Sequence, residues 1–324
     1  MLLMDKKVIR FLARMGARGS LGQALFDYAA DDNDFFAVSA DLAHASGYDR
    51  IIKNYPERFV DVGIAEQNLI GVSGGLAKSG IPVVATTWAM FASARVADQV
   101  RNFMGYMQLN IKLVGMDSGL IQSRFSYSHA NPPDISIMRA IPGIVILSPC
   151  DGIEIYKAVY AAMKFKGPVY IRLTGGDLLP IIHKDSDFEF KIGKAITIKE
   201  GDDVVFISCG TILSNVLKAA DMLENMNISV KVIDMHTISP LDIDILDEIS
   251  NCKLLVTVEE HLLQGGLGSA IAEYYIQKKI RPQQLMLGVN NIYTQPGTIN
   301  FVQEKMGLLP EQIVVAVKGK LNII

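Results

Sequence analysis

Residues 59–80, FVDVGIAEQNLIGVSGGLAKSG, set a carboxylate, Glu66, at the start of a glycine-laden helix directly after a short apolar strand. Acidic side chains are favoured in the first turn of any helix, so a solvated Glu66 would need no further explanation. The glycines argue otherwise. Gly71, Gly74 and Gly75 share the helix, and each is about 1 kcal/mol less favourable than alanine in an exposed helix interior. Close approach of another backbone is the usual compensation, so the spacing predicts a tightly packed helix at a subunit interface, with Glu66 buried near it. A buried carboxylate needs a partner, because desolvation raises its pKa and an isolated charge is costly.

Three further stretches carry candidate chemistry. TTWAMFASARVADQVRNFM, residues 86–104, puts Trp88, Phe91, Arg95 and Gln99 near one face of a helix. An aromatic pair there is either a platform for a flat heterocycle or ordinary core. SYSHANPPDISIMR, residues 126–139, holds His129 in a polar loop ahead of Pro132 and Pro133, with Asp134 as the expected N-cap of the next helix. A loop histidine can donate to a substrate oxygen or shuttle a proton, and is also common on plain surface. TVEEHLLQGGLGSAIAE, residues 257–273, reads as strand, glycine turn and helix, which either binds an anion or is a structural turn. It does not match G-x-G-x-x-G, and the chain contains no P-loop, H-E-x-x-H or G-x-S-x-G.

The elements that must position these residues are legible as apolar runs. DFFAVSADL, RFVDVG, IPVVATTW, NIKLVGMD, GIVILSP and PVYIRLT alternate with helical patterns up to about residue 175. Continuous rather than alternating apolar character marks strands buried on both faces, as in a parallel sheet between helices. The fold class is therefore α/β, with two consecutive open, mostly parallel sheet domains. GGDLLPIIHKDSDFEFKIGKA breaks the rhythm and reads as the linker, and DDVVFISCG, ISVKVIDMH, KLLVTVEEH and QLMLGVN are the strands of the second domain. The expected domains are residues 1–185 and 193–324. Ligands of open parallel sheets sit beyond the carboxyl ends of the strands, where Asp41, Glu66, the TTWAMF segment, GMDSG and Arg172 would converge.

With 324 residues, half hydrophobic, a fifth charged and a net charge of -3, the profile is that of a globular enzyme or enzyme subunit, with no nucleic-acid partner indicated. No apolar run reaches membrane-span length and the first residues lack signal-peptide character, so a cytoplasmic location is expected. Cys150, Cys209 and Cys252 are far apart and lack CxxC spacing, which indicates buried thiols rather than a disulfide framework or a zinc site.

SADL, YPERFVDVGIAEQN, the F-x-x-x-R-x-x-DQ-x-R string from Phe91 to Arg101, DISIMRAIPG, SPCD, VYIRL, HTISPLD and VEEH-x-x-x-GGLGSAIAE occur in the order and spacing of one family. Over essentially its whole length the chain resembles the C-terminal two-thirds of transketolases and deoxyxylulose-phosphate synthases, and above all the separately encoded C-terminal subunits of split transketolases. The resemblance implies a thiamine diphosphate pyrimidine-binding domain followed by the family's C-terminal domain. It implies that Glu66 hydrogen-bonds N1' of the aminopyrimidine, favouring the 4'-imino tautomer that can take the thiazolium proton. Trp88 and Phe91 then match the aminopyrimidine pocket, Asp41 and Leu42 the strand end near the cofactor, and Arg18 and Arg172 positions that hold a sugar phosphate. His129 matches the histidine of the family's D-G-x-T-H-Q loop, from which this chain departs: Phe125-Ser126 replaces the acid-glycine pair, Ala130 the glutamine, and Pro133 the acid before Asp134. Phe125 in place of a hydroxyl-binding carboxylate implies an altered keto-sugar or sugar-phosphate specificity. The Mg²⁺ and diphosphate motif is missing from these residues. The resemblance thus implies a partner, an N-terminal-half subunit carrying that site, in an α2β2 heterotetramer. A deoxyxylulose-phosphate-synthase-like ligase, a 2-oxoacid dehydrogenase E1 β-like subunit and a non-catalytic paralogue remain as alternatives.

Overall fold

The computed structural model describes residues 5–31, 34–130, 133–185, 187–293 and 295–322. Pro132 lies outside them. The first sheet is built from β1 (Phe36–Ser39), β2 (Phe59–Asp61), β3 (Val83–Trp88), β4 (Ile111–Met116), β5 (Val145–Leu147) and β6 (Val169–Arg172). The second uses β7 (Ile196–Lys199), β8 (Val204–Ser208), β9 (Val230–Asp234), β11 (Leu254–Leu262) and β12 (Gln283–Val289). Between β9 and β11, β10 (Thr237–Ser239) crosses back and joins the first sheet. The strand orders are β10-β5-β6-β4-β3-β1-β2 and β12-β11-β8-β9-β7. All pairings are parallel except β10 with β5 and β7 with β9. The apolar runs read as two-sided strands are indeed buried along their length in β3, β4, β6 and β8, apart from half-buried Trp88.

Helices cover both faces of each sheet. Helix Lys6–Ala30 starts at an Asp5 cap whose carboxylate accepts from the amides of Lys7 and Val8. It is broken at Gly16 (φ +70), where a Cβ would lie 2.4 Å from the carbonyl oxygen of Gly176. Only glycine tolerates both the left-handed backbone and that approach, and the break starts a new helical stretch one residue before Arg18. Leu12, Leu21 and Leu25 of this helix are fully buried, each contributing about 1.5–3 kcal/mol by leaving water.

One apolar cluster joins both halves of the chain, including Val38, Ile146 and Met138 from the first and Ile207, Met235 and Leu267 from the second. Among the described residues, 173–195 contain neither helix nor strand, yet Ile182 and His183 of that connection are buried. The glycine argument for helix Glu66–Lys78 needs correction within the chain. Gly74 does pack, its Cβ position lying 2.6 Å from the Phe103 ring, but Gly71 and Gly75 meet nothing within 4 Å.

Candidate active site

At the carboxyl edge of the first sheet, β1 ends in a turn where Asp41 adopts φ +58. One oxygen of the Asp61 carboxylate, at the end of β2, accepts from the amides of Asp41 (3.1 Å) and Gly63 (2.8 Å). Ser39 Oγ accepts from the Leu42 amide. These bonds fix the two loops flanking Glu66, the first residue of its helix and 5 % exposed. Its Oε2 accepts from Arg95 Nη1 at 3.0 Å; among the described residues Oε1 receives no hydrogen bond.

Arg95 arrives by a route that the sequence misplaced. Trp88 is the last residue of β3 rather than part of a helix, and Phe91–Arg95 is a π-helical turn. The wider turn, rare and frequent at functional sites, lays the Arg95 guanidinium 3.9 Å over the Phe91 ring while it reaches Glu66. A cation over an aromatic face is favourable. The need of a buried Glu66 for a partner was legible; the identity of that partner was not, because it depends on the extra residue in this turn.

The His129 loop closes over the same edge. A 3₁₀ stretch, Ser123–Ser128, contains Ser126 at φ +52. It sets the His129 ring 5.6 Å from Phe91, 6.1 Å from Trp88 and 5.2 Å from Phe125. Phe125 is 58 % exposed, so it belongs to the rim of a site rather than to the core. The Arg18 guanidinium sits 5.8 Å from the Trp88 indole and donates from Nη2 to Asp117 Oδ2 at 2.8 Å. Asp117 (φ +50) follows β4 and also accepts from the side-chain Nε2 of Gln122. Contacts thus run without interruption from Glu66 through Arg95, Phe91, His129 and Trp88 to Arg18. Beside the His129 loop lies a cavity of about 280 Å³ lined by Met90, Tyr127, Ala130, Pro133, Leu262 and Tyr293. Tyr127 and Tyr293 pack ring to ring at 5.4 Å across the two halves of the chain. Nothing local marks Tyr293, which is brought here from a loop after β12.

Two expectations are corrected. Arg172 is 1 % exposed and does not face this edge as a free phosphate ligand. Its Nε donates to both Asp134 oxygens (2.9 and 3.1 Å) and its Nη2 to the carbonyl of Glu260 (2.7 Å). Asp134, in turn, does not cap its helix: it is the first residue of Asp134–Arg139, makes no capping bond, and accepts from Tyr170 Oη as well. The Arg172 guanidinium, held in place by Asp134, thus bonds the Glu260 carbonyl across the two halves of the chain. The glycine turn after β11 is likewise structural, since the carboxylate of Glu259 takes the amides of Leu267 and Gly268 at the helix start.

His261 reinforces that junction. Its Nε2 accepts from the Ser136 amide at 3.2 Å, so Nδ1 carries the proton and donates to the Leu262 carbonyl. Burial pushes its pKa from 6.5 down to about 4, with Asp134 opposing and Arg172 assisting. The folded state therefore binds fewer protons than the unfolded state between pH 4 and 6.5, and the associated stability is complete above pH 6.5 and lost on acidification. We expect wild type to lose about 3 kcal/mol relative to His261→Gln between pH 7 and 4, at roughly 1.4 kcal/mol per pKa unit. Urea unfolding of both proteins across that range checks this; parallel curves would show that His261 titrates normally.

The chain thus presents a parallel-sheet edge with a buried acid near aromatic rings, and a second α/β unit packed against the first. The chain belongs to the transketolase family: residues 14–179 match the transketolase pyrimidine-binding domain and residues 193–313 the transketolase C-terminal domain. It is 36 % identical over 294 residues to the 6-deoxy-6-sulfo-D-fructose transketolase subunit SqwH of Clostridium sp. strain MSTE9, covering 90 % of each chain. It is 34 % identical over 260 residues to an apulose-4-phosphate transketolase subunit of Phocaeicola vulgatus, covering 80 % of this chain and 83 % of that one. A solved split-gene transketolase, an inactive beta4 tetramer, superposes with a TM-score of 0.86 at 33 % identity over 95 % of this chain and 99 % of that chain. Among the described residues, no helix is long and apolar enough to cross a membrane.

Proposed function

We propose that the chain is the pyrimidine-side subunit of a thiamine diphosphate-dependent enzyme that moves a two-carbon ketol unit from a ketose to an aldose. The observation that carries this reading is the buried Glu66 carboxylate, with one oxygen anchored by Arg95 and the other open, beside the rings of Phe91, Trp88 and His129. That donor set suits a flat, protonatable heterocycle. Bound there, the cofactor would supply an acidic carbon that adds to the donor ketone and holds the electron pair left after cleavage. Glu66 holds and returns a proton at the heterocycle nitrogen. Trp88 and Phe91 wall the ring, and Asp41 and Leu42 shape the loop beside it. His129 serves as a proton donor to substrate oxygen, Arg18 as the charge for a substrate phosphate, and Phe125 as the rim that selects the sugar.

Among the described residues, the cluster of carboxylates, histidine and thiol compact enough to share an ion lies elsewhere in the chain. We assign the Mg²⁺ and diphosphate site, which the family resemblance calls for, to a separate N-terminal-half subunit, in a cytoplasmic α2β2 heterotetramer. The uncovered positions at Gly71 and Gly75 support a subunit contact on the Glu66 helix. The named relatives act on a sulfodeoxyfructose and on apulose phosphate, and the exposed aromatic Phe125, standing where the family's loop has an acid, would change which part of such a sugar the rim meets. The test mixes this chain with its complementary subunit, thiamine diphosphate and Mg²⁺, and follows hydroxypyruvate. Consumption that needs both chains is expected. Consumption of pyruvate instead would move the assignment to a deoxyxylulose-phosphate-synthase-like ligase or a 2-oxoacid dehydrogenase subunit. A stable complex without turnover of either would leave a non-catalytic paralogue.

A further inference from the structure

Away from that edge, at the junction of the two halves, four side chains from three separate stretches meet in the interior. Cys150 follows β5, Glu154 lies in the first turn of helix Gly152–Lys164, His183 comes from the connecting segment, and Asp234 ends β9. Cys150, Glu154 and Asp234 are fully buried and His183 is 6 % exposed. One donor atom from each lies within 4.8 Å of the others.

The histidine separations are long for hydrogen bonds and within the range of ligands sharing a metal. His183 Nε2 is 3.5 Å from Asp234 Oδ2 and 3.7 Å from Glu154 Oε1, and Cys150 Sγ is 3.3 Å from Asp234 Oδ2. Charge-assisted N–H···O bonds run at about 2.7–2.9 Å. The edges of a tetrahedron with zinc–sulfur, zinc–nitrogen and zinc–oxygen bonds of ordinary length come to roughly 3.3–3.6 Å. His183 Nε2 and Glu154 Oε1 are buried without a hydrogen-bond partner, as is Asp234 Oδ1. Such groups are costly unless something satisfies them.

The surroundings fix the donors. Asp151 gives one oxygen to the Glu154 amide and the other to the amides of Ile182 and His183, so it orients two ligands. The His183 ring stacks on Phe188 at 3.9 Å and 22°, and Glu154 Oε2 is held by the Cys150 amide. We propose that Cys150, Glu154, His183 and Asp234 bind one divalent transition ion of the zinc type, tetrahedrally, as a clasp joining the two domains and the segment between them. When the ion binds, the Cys150 thiol proton, now donated to Asp234, and the proton that His183 Nε2 shares with the carboxylates both leave to solvent. Four protein ligands and no exposed position make the site structural rather than catalytic.

Because the cluster is sealed, the ion enters during folding, so the test uses the full chain produced in cobalt-supplemented minimal medium. One cobalt per chain is expected, with the intense visible bands of a tetrahedral site and a near-ultraviolet thiolate charge-transfer band, both erased when zinc replaces cobalt during refolding. Cys150→Ser should lose the charge-transfer band and bind zinc at least about 100-fold more weakly, since even changes outside the ligand set cost about 10–100-fold. The wild-type spectrum decides the matter even if the variant does not fold. Folded wild-type chain lacking tetrahedral cobalt bands, or a charge-transfer band unchanged in Cys150→Ser, would overturn the proposal. A buried histidine sharing protons with two carboxylates would then be the correct description.

Discussion

Glu66→Gln, assembled with its complementary subunit, thiamine diphosphate and Mg²⁺, is expected to lower kcat by about 10²–10⁴-fold, the usual contribution of a positioned proton carrier. Glutamine preserves the volume and an oxygen that can accept from Arg95, so the 3.0 Å contact and the helix start survive in neutral form. What disappears is a group that can hold a proton at a heterocycle nitrogen and take it back. Arg95 is 46 % exposed on its side chain and stays solvated when its partner loses charge, so the melting temperature should hardly move. Steady-state hydroxypyruvate turnover, with thermal unfolding of the same preparation, separates the two effects. A variant as active as wild type would remove Glu66 from the chemistry; one that is inactive because it is unfolded would be exposed by the melt.

Arg172→Ala should instead act on stability. Asp134 is fully buried, and removing its guanidinium partner leaves an uncompensated charge, which typically costs about 3–5 kcal/mol. The carbonyl of Glu260 also loses its donor across the domain junction. Replacing both partners with apolar residues, Arg172→Met with Asp134→Leu, should recover much of the loss, because no buried charge is then left alone. Denaturant midpoints for the two proteins measure this. The sequence-based expectation makes the opposite forecast: a phosphate ligand would raise KM for phosphorylated substrates while leaving the midpoint unchanged. That result would reinstate Arg172 as a substrate residue.

These two residues show how far reading the chain could go. Arg172 ends β6 and Glu66 follows β2 at the start of the next helix, and the rule that ligands gather beyond the carboxyl ends of parallel strands treats them alike. They differ in what lies on the other side. Glu66 opens onto a loop-rimmed edge, whereas Arg172 points at β11 of the second domain, whose register against β8 and β12 is set by pairings far away in sequence. Strands of continuous apolar character were legible because a two-sided buried strand has no polar face to interrupt it. The half-buried β7 and the three-residue β10 carried no such signature. β10 in particular pairs with β5, about ninety residues earlier, through Thr237 and Leu147.

Sequence alone determined the α/β class and the alternation of buried strands and covering helices, because these depend on periodicity; it also pointed to a buried Glu66, although of the glycines behind that reading only Gly74 packs within the chain. It also carried the family's motifs in order. Tertiary structure decided which charges face a site and which clamp the fold. Arg95 becomes the partner of Glu66 through a π-helical turn, Tyr293 reaches Tyr127 from a distant loop, and Cys150, Glu154, His183 and Asp234 meet although no spacing among them suggests it. The physical reason is the same in each case: local pattern fixes which face of an element is buried, while the partner of a buried polar group is supplied by chain that is remote in sequence and near only after the two sheets have packed.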